Sequence, residues 1–305
     1  MSHSISWSDG LLDYKQHTIT IAANLIAYNC HLQDKSLSPD NFDESFRQIL
    51  EKFVFSKIEL LYSGGLDSEF VLVSLKNFGY PVVAVTMKLM CRGYPINTHD
   101  LYYSEKFCRQ NNIEQRFIEL DIEKFFESGR YQDYLLDYYI QQPHVATHFW
   151  MFEQCDNFPI LAGEYSWPWV DEPILSPHRL EYSCYDRFLA DNSINGIGNL
   201  LNYSYNINRS LISAHIELYK QNFILNDRTL PIFKKNLYQK LSNYTFEVRM
   251  RNSGWENLPK SVFNKSQYRV ELIRQHNKIS KSAISWNLGI AKLLNGNIYS
   301  NDRYS

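Results

Sequence analysis

The chain has 305 residues and a formal net charge of −2, with 44% hydrophobic and 21% charged side chains. That composition fills one large core or two small ones and excludes a disordered tail. It holds no apolar run of about 18 residues, so no membrane span is expected.

In chain order, residues 1–42 read as a strand-rich extension around the apolar run Thr18 to Ile26. Phe42 to Phe55 has helical spacing, with Phe46, Ile49, Leu50 and Phe53 on one face. Ile58–Tyr62 reads as a short apolar strand, followed by a glycine turn and a helix from Asp67 to Phe78. Gly79-Tyr80-Pro81 breaks that helix, and Val82–Leu89 is a β-branched strand. A helix over Thr98–Asn111, a strand over Gln115–Ile122, helices over Tyr131–Gln141 and Val145–Cys155, and a strand over Phe158–Ala162 follow. This alternation predicts an α/β fold, an open and mostly parallel five-stranded sheet with helices on both faces. Three regions result: the extension, a sheet domain over 43–175, and a mainly helical substrate region over 176–305.

Met1-Ser2-His3 opens no basic-then-apolar or arginine-rich leader. The five cysteines never form a CxxC, which disfavours zinc ribbons and disulfide scaffolds and suits reduced thiols in a cytoplasm. Charge is uneven. Glu119 to Asp191 carries 14 acidic against 4 basic side chains, and Arg228 to Ser305 carries 14 basic against 4 acidic. The basic third either balances the acidic middle and solvent or faces phosphates; the first reading is preferred.

Ser63-Gly64-Gly65-Leu66-Asp67-Ser68 stands where a strand ends and a helix begins. Glycines allow a tight turn and close approach to a ligand, and first-turn N–H groups point outward. Asp67 adds a carboxylate beside this anion site, as a bridging hard cation would require. No GxxxxGK[ST] is present, so this is not a Walker loop.

The SGGLDS run resembles the pyrophosphate loop of the ATP pyrophosphatases, and its flanks are most similar to the synthetase domain of asparagine synthetase and its β-lactam-forming relatives. The resemblance implies an adenine nucleotide alpha hydrolase-like fold and ATP, with Mg²⁺, cleaved between its α- and β-phosphates. A small-molecule carboxylate or amide is adenylated, and an amine displaces AMP. ATP would lie on Ser63, Gly64, Gly65, Leu66, Asp67 and Ser68, with adenine near Thr86 and Met87. Leu161-Ala162-Gly163-Glu164 resembles the start of the family's fourth-strand motif, LSGEGxDE, which places Gly163 and Glu164 at the nucleotide. Leu258-Pro259-Lys260-Ser261-Val262 with Lys265 resembles its LPxxVxxRxKxxF segment, two residues short between landmarks, and carries the catalytic lysine to Lys265.

The departures narrow the reading. The stretch before the loop is too short for a glutaminase domain, so ammonia from glutamine is not expected. Gln141-Gln142-Pro143 replaces an acidic pair, and the second metal aspartate falls at Trp167. Asp171, Glu172 or Glu164 is expected to replace it, Asp171 being the metal ligand assigned beside Asp67. Asparagine is not the expected product.

Other residues carry quieter readings. His144 and His148, four apart on a helix, lack further zinc ligands and are expected to pack or touch substrate. Cys184 reads as a buried small hydrophobe. Tyr134–Tyr139 and Tyr165–Trp169 either fill core or line a substrate pocket. Arg249, Arg251 and Lys260 either neutralise phosphate or face solvent. The expected activity is an AMP-forming ligase. The alternatives are the same chemistry on a nucleobase or nucleic acid, and a nucleotide-binding module without turnover.

Overall fold

The computed structural model describes residues 41–138, 143–163, 183–203, 205–219, 229–250, 252–259 and 261–262. The expected strands of residues 1–40 lie outside these. So do Tyr139, Gln141, Gln142, Glu164, Tyr165 to Trp169, Asp171, Glu172, Arg251, Lys260 and Lys265.

The expected alternation is present. Helix α1 (Phe42–Leu50) leads into β1 (Ile58–Leu61), α2 (Leu66–Asn77) and β2 (Val82–Cys91). A two-residue strand β3 (Tyr94–Pro95), α3 (Thr98–Gln110) and β4 (Glu114–Asp121) follow, then α4 (Ile122–Glu127), α5 (Arg130–Tyr138), α6 (Pro143–Glu153) and β5 (Phe158–Leu161). The later part is helical: α7 (Ser183–Asp191), α8 (Tyr205–Tyr219) and α9 (Leu230–Ser242).

All strand pairs in this five-stranded sheet are parallel except the small β2–β3 return. β1 lies between β2 and β5, with Leu61 level with Val85 on one side and Leu161 on the other. β4 borders β2 on its far side. The chain therefore leaves β1 toward β2 and returns to its other flank as β5. That reversal opens a crevice at the carboxyl ends of β1 and β5, where open α/β sheets bind ligands.

β1 and β5 are buried along their whole lengths, which is why both read as mainly apolar strands; the buried Glu59 within β1 is paired with Arg116 at 2.9 Å. On one face of the sheet, Phe46, Leu50, Phe70, Leu72, Phe107, Leu211, Phe233 and Leu237 form a shared core. On the other, Val85, Phe126, Phe149, Phe152, Tyr185 and Phe188 pack together, with Phe149 and Phe188 stacked at 4.5 Å. Helix α2 is buried from Ser68 to Leu75, as an almost all-round apolar helix must be. It is enclosed by the sheet and by α9 from the helical region.

Two boundaries differ from expectation. The first helix ends at Leu50, because Lys52 and Phe53 turn back to the carbonyls of Ile49 and Leu50. Phe53 and Phe55 then lie on Phe158, with ring centroids 5.1 and 5.0 Å apart. Helix α4 was not expected; it starts at Ile122, where the expected strand ended. Asp121 closes β4 and at once caps α4, its Oδ1 accepting from the Lys124 N–H at 3.2 Å.

Candidate functional site

The loop after β1 is built by short-range bonds. Ser63 Oγ accepts from the Gly65 N–H at 3.2 Å and lies 3.2 Å from Ser68 Oγ, which donates to the Gly65 carbonyl at 3.0 Å. Gly64 adopts φ +78°, and a Cβ there would stand 2.6 Å from the Asp100 carbonyl oxygen at the start of α3. Only glycine fits that turn. Gly65 caps α2 without a side-chain bond, and the first helical bond runs from the Glu69 N–H to the Gly65 carbonyl. The N–H groups of Leu66, Asp67 and Ser68 thus precede the helical ladder and find no acceptor among the described residues. They form the positive end of the α2 dipole.

Beneath the loop, Thr86 Oγ1 donates to the Tyr62 carbonyl and accepts from Gln115 Nε2, each at 2.9 Å. Thr86 is buried, so its side chain supports the loop from below. The Met87 carbonyl accepts from Asn97 Nδ2 at 2.8 Å, while Asn97 Oδ1 accepts from the Leu89 N–H at 2.9 Å. One carboxamide stands in for a neighbouring strand where β1 has ended. Gly163 lies two residues beyond Leu161, as Ser63 lies two beyond its register partner Leu61. It has φ +67°, and the Asn199 side chain occupies the space its Cβ would need. Asn199 is 3% exposed, and among the described residues neither of its amide atoms has a hydrogen-bond partner.

Asp67 is the loop's own carboxylate. Its Oδ2 accepts from Lys234 Nζ at 2.6 Å, and its Oδ1 accepts from the Tyr238 hydroxyl, both residues being on α9. Two residues further along α2, Glu69 accepts from Arg249 Nη2 at 2.5 Å and from the Tyr62 hydroxyl at 3.1 Å. Burial raises the Glu69 carboxyl above its usual range despite the guanidinium beside it. Burial and the Glu69 charge push the Tyr62 phenol well above 10, so it remains a donor.

The basic third of the chain thus sends Lys234 and Arg249 onto acidic residues of α2. Arg249 is neither solvated nor placed as a phosphate ligand. Lys234, Tyr238, Glu69, Asn97 and Asn199 were missed by sequence reasoning. The signal for Lys234 and Tyr238 was faint: both sit in an apolar helical repeat with Phe233 and Leu237. Of the residues assigned to the nucleotide, Ser63 to Ser68 and Gly163 come together at the crevice. Thr86 and the Met87 carbonyl are engaged beneath and beside it.

Other side chains settle into packing. His148 Nδ1 lies 2.7 Å from the Tyr185 hydroxyl, and burial and the neighbouring His144 push its pKa down to about 3. Burial raises the thiols of Cys91, Cys108 and Cys155, the last two to about 12, so these cysteines stay protonated. Among the described residues no group of three or more His, Cys, Asp or Glu could hold a metal. A magnesium ion takes one or two carboxylates together with phosphates. Asp67 is a single carboxylate with a donor already on each oxygen, so the described residues do not fit a resident Mg²⁺. No helix among them is long and apolar enough to cross a membrane.

No protein-family model matches the chain, and no curated protein does. Several solved structures are similar in part, three of them as follows. One is a predicted subunit of tRNA methyltransferase from Methanocaldococcus jannaschii, at 20% identity and TM-score 0.30, covering 46% of this chain; this chain spans only 65% of it. Another is NMN synthetase from Francisella tularensis, at 12% identity and TM-score 0.33, covering 71% of this chain and 100% of that one. A third is the U34-tRNA thiolase NcsA from Methanococcus maripaludis, at 13% identity and TM-score 0.33, covering 90% and 84%. All three scores lie below 0.5, so the functional reading rests on this chain's own residues.

Proposed function

We propose that the chain is an ATP-dependent, AMP-forming ligase acting on a small molecule. The carrying observation is the loop itself: Gly64 and Gly65 at the sheet's crevice, followed by three N–H groups aimed out of α2. That arrangement binds polyphosphate through backbone donors. In this reading a substrate carboxylate or amide oxygen attacks the α-phosphorus of ATP. The bond from that phosphorus to the bridging oxygen breaks, and pyrophosphate leaves onto the loop. An amine nitrogen then attacks the activated carbon, the carbon–oxygen bond to AMP breaks, and the amine proton is lost.

The chain's contribution is positioning and electrostatic stabilisation. Gly163 and Asn199 border the loop on the β5 side, where the adenylated group would lie. The resemblance assigns charge stabilisation in the second step to Lys265, and further nucleotide and metal contacts to Glu164 and Asp171; all three lie outside the described residues. Engagement of Lys234 and Arg249 with α2 leaves the basic third less suited to nucleic acid, so a small-molecule substrate is preferred.

The test is to incubate the purified chain with α-labelled ATP and a desalted small-molecule extract, with Mg²⁺ and without it. The expected products are AMP and pyrophosphate. ADP and phosphate would overturn cleavage between the α- and β-phosphates. ATP that binds but stays intact under every condition would overturn the ligase and leave a nucleotide-binding module.

A further inference from the structure

We infer that Lys234 is a cation built into the phosphate loop, neutralising Asp67 while the loop is empty and turning to a bound polyphosphate. The loop then takes pyrophosphate without a divalent ion. This rests on the reading of the loop as a phosphate site and adds the source of its positive charge.

The geometry is specific. Lys234 Nζ is 2.6 Å from Asp67 Oδ2, with side chains only 11% and 22% exposed. The ammonium therefore lies against a carboxylate of the first turn of α2, the turn whose N–H groups would hold an anion. Its position is fixed by the core. Phe233, Leu237 and Tyr238 around it on α9 are fully buried, and the Tyr238 ring stacks on Phe70 of α2 at 4.4 Å. Helix α9 is thus packed on α2 beside the loop, which holds the lysine against Asp67.

Charge balance gives the reason. From Ser63 to Ser68, Asp67 is the only charged side chain. A bare carboxylate there would repel a polyphosphate across a partly dry site, where Coulomb forces are strong. Either a divalent ion or an ammonium can reverse that repulsion. The described residues do not fit a resident Mg²⁺, and the ammonium is part of the chain. An ammonium is a compact point charge with a fan of donors. It can turn from a carboxylate to a phosphate oxygen without any change of fold. A divalent ion must instead compete with Lys234 for Asp67.

The experiment is calorimetric titration of the full chain with inorganic pyrophosphate, in EDTA and then in Mg²⁺. It compares the natural protein with Lys234→Met and Lys234→Arg, each first shown to be folded by its melting curve. The natural protein is expected to bind in EDTA, and Lys234→Met to bind at least about tenfold more weakly there, as loss of a charge-assisted bond predicts. Lys234→Arg is expected to keep its binding in EDTA. In Mg²⁺, Lys234→Met should recover to within about threefold, because Asp67 is then free to face the ion.

Equal binding by Lys234→Met and the natural protein in EDTA would overturn the inference. So would a natural protein that binds only with Mg²⁺. Equal loss in both folded variants would make the position structural and overturn it as well. No pyrophosphate binding by the natural protein in either buffer would overturn the phosphate-site reading itself, and this inference with it.

Discussion

The Glu69 carboxylate and the Arg249 guanidinium meet at 2.5 Å directly behind the glycine loop, with side chains 2% and 5% exposed. Tyr62 donates to the same carboxylate, and the guanidinium also lies over the Tyr103 ring at 5.0 Å. Removing one partner of such a pair strands a buried charge, which costs about 3–5 kcal/mol. Arg249→Met is therefore expected to destabilise the chain by about that much in urea denaturation. The double variant Glu69→Gln, Arg249→Met should recover at least half. Additive losses would show that the two side chains act independently.

Asp67 and Lys234 are coupled in the same way but nearer to solvent. Asp67→Asn is expected to cost about 2 kcal/mol, since it takes a carboxylate away from the mostly buried Lys234 ammonium. Adding Lys234→Met should restore most of that stability, because the second change removes that charge. Melting curves of the two single variants and the double variant close the cycle. The double variant is also the sounder control for lost activity, as it separates chemistry from unfolding.

Gly64 and Gly163 face different obstacles. At Gly64 a Cβ meets backbone, 2.6 Å from the Asp100 carbonyl oxygen, which cannot move away cheaply. Gly64→Ala is expected to lose about 2–4 kcal/mol of stability and all measurable ATP binding, read by denaturation and calorimetry. At Gly163 the nearest obstacle is the Asn199 side chain. Gly163→Ala should therefore cost at least about 1 kcal/mol less in an Asn199→Ala background than alone. An equal cost in both backgrounds would place the whole penalty in the positive φ.

His148 sets an acid limb. Its folded pKa of about 3 lies below the ordinary 6.5, so the unfolded chain binds a proton that the folded chain refuses. Its stability contribution is complete above pH 6.5. It is lost as pH falls from there toward 3, at about 1.4 kcal/mol per pH unit. His148→Gln, which can still bond Tyr185, should flatten the fall of the urea midpoint between pH 6.5 and 4.5. An unchanged slope would assign the acid limb to other groups.

The strands and main helices were legible because local apolar pattern and glycine turns decide them. Ile58 to Leu61 and Phe158 to Leu161 are buried on both faces and read as mainly apolar stretches, Glu59 being the one charged residue. The loop was legible because tight turning before a helix needs its particular glycines. Helix α4 was not, since a single aspartate both ends β4 and caps the helix. The partners of Asp67 and Glu69 lie 167 and 180 residues away, and no local pattern encodes such a pairing. Lys234 and Arg249 were visible only as members of a basic stretch. Their choice of Asp67 and Glu69 is made by how α9 and the segment after it dock on α2.

That docking has a consequence for synthesis. The ribosome makes the loop early and must add another 167 residues before Asp67 meets its ammonium. Until α9 arrives, the nascent sheet carries an unbalanced carboxylate at its crevice, and the Phe70 face that Tyr238 will cover is bare. The loop site is thus completed by nearly the last described helix, so its assembly reports that the chain has closed on itself.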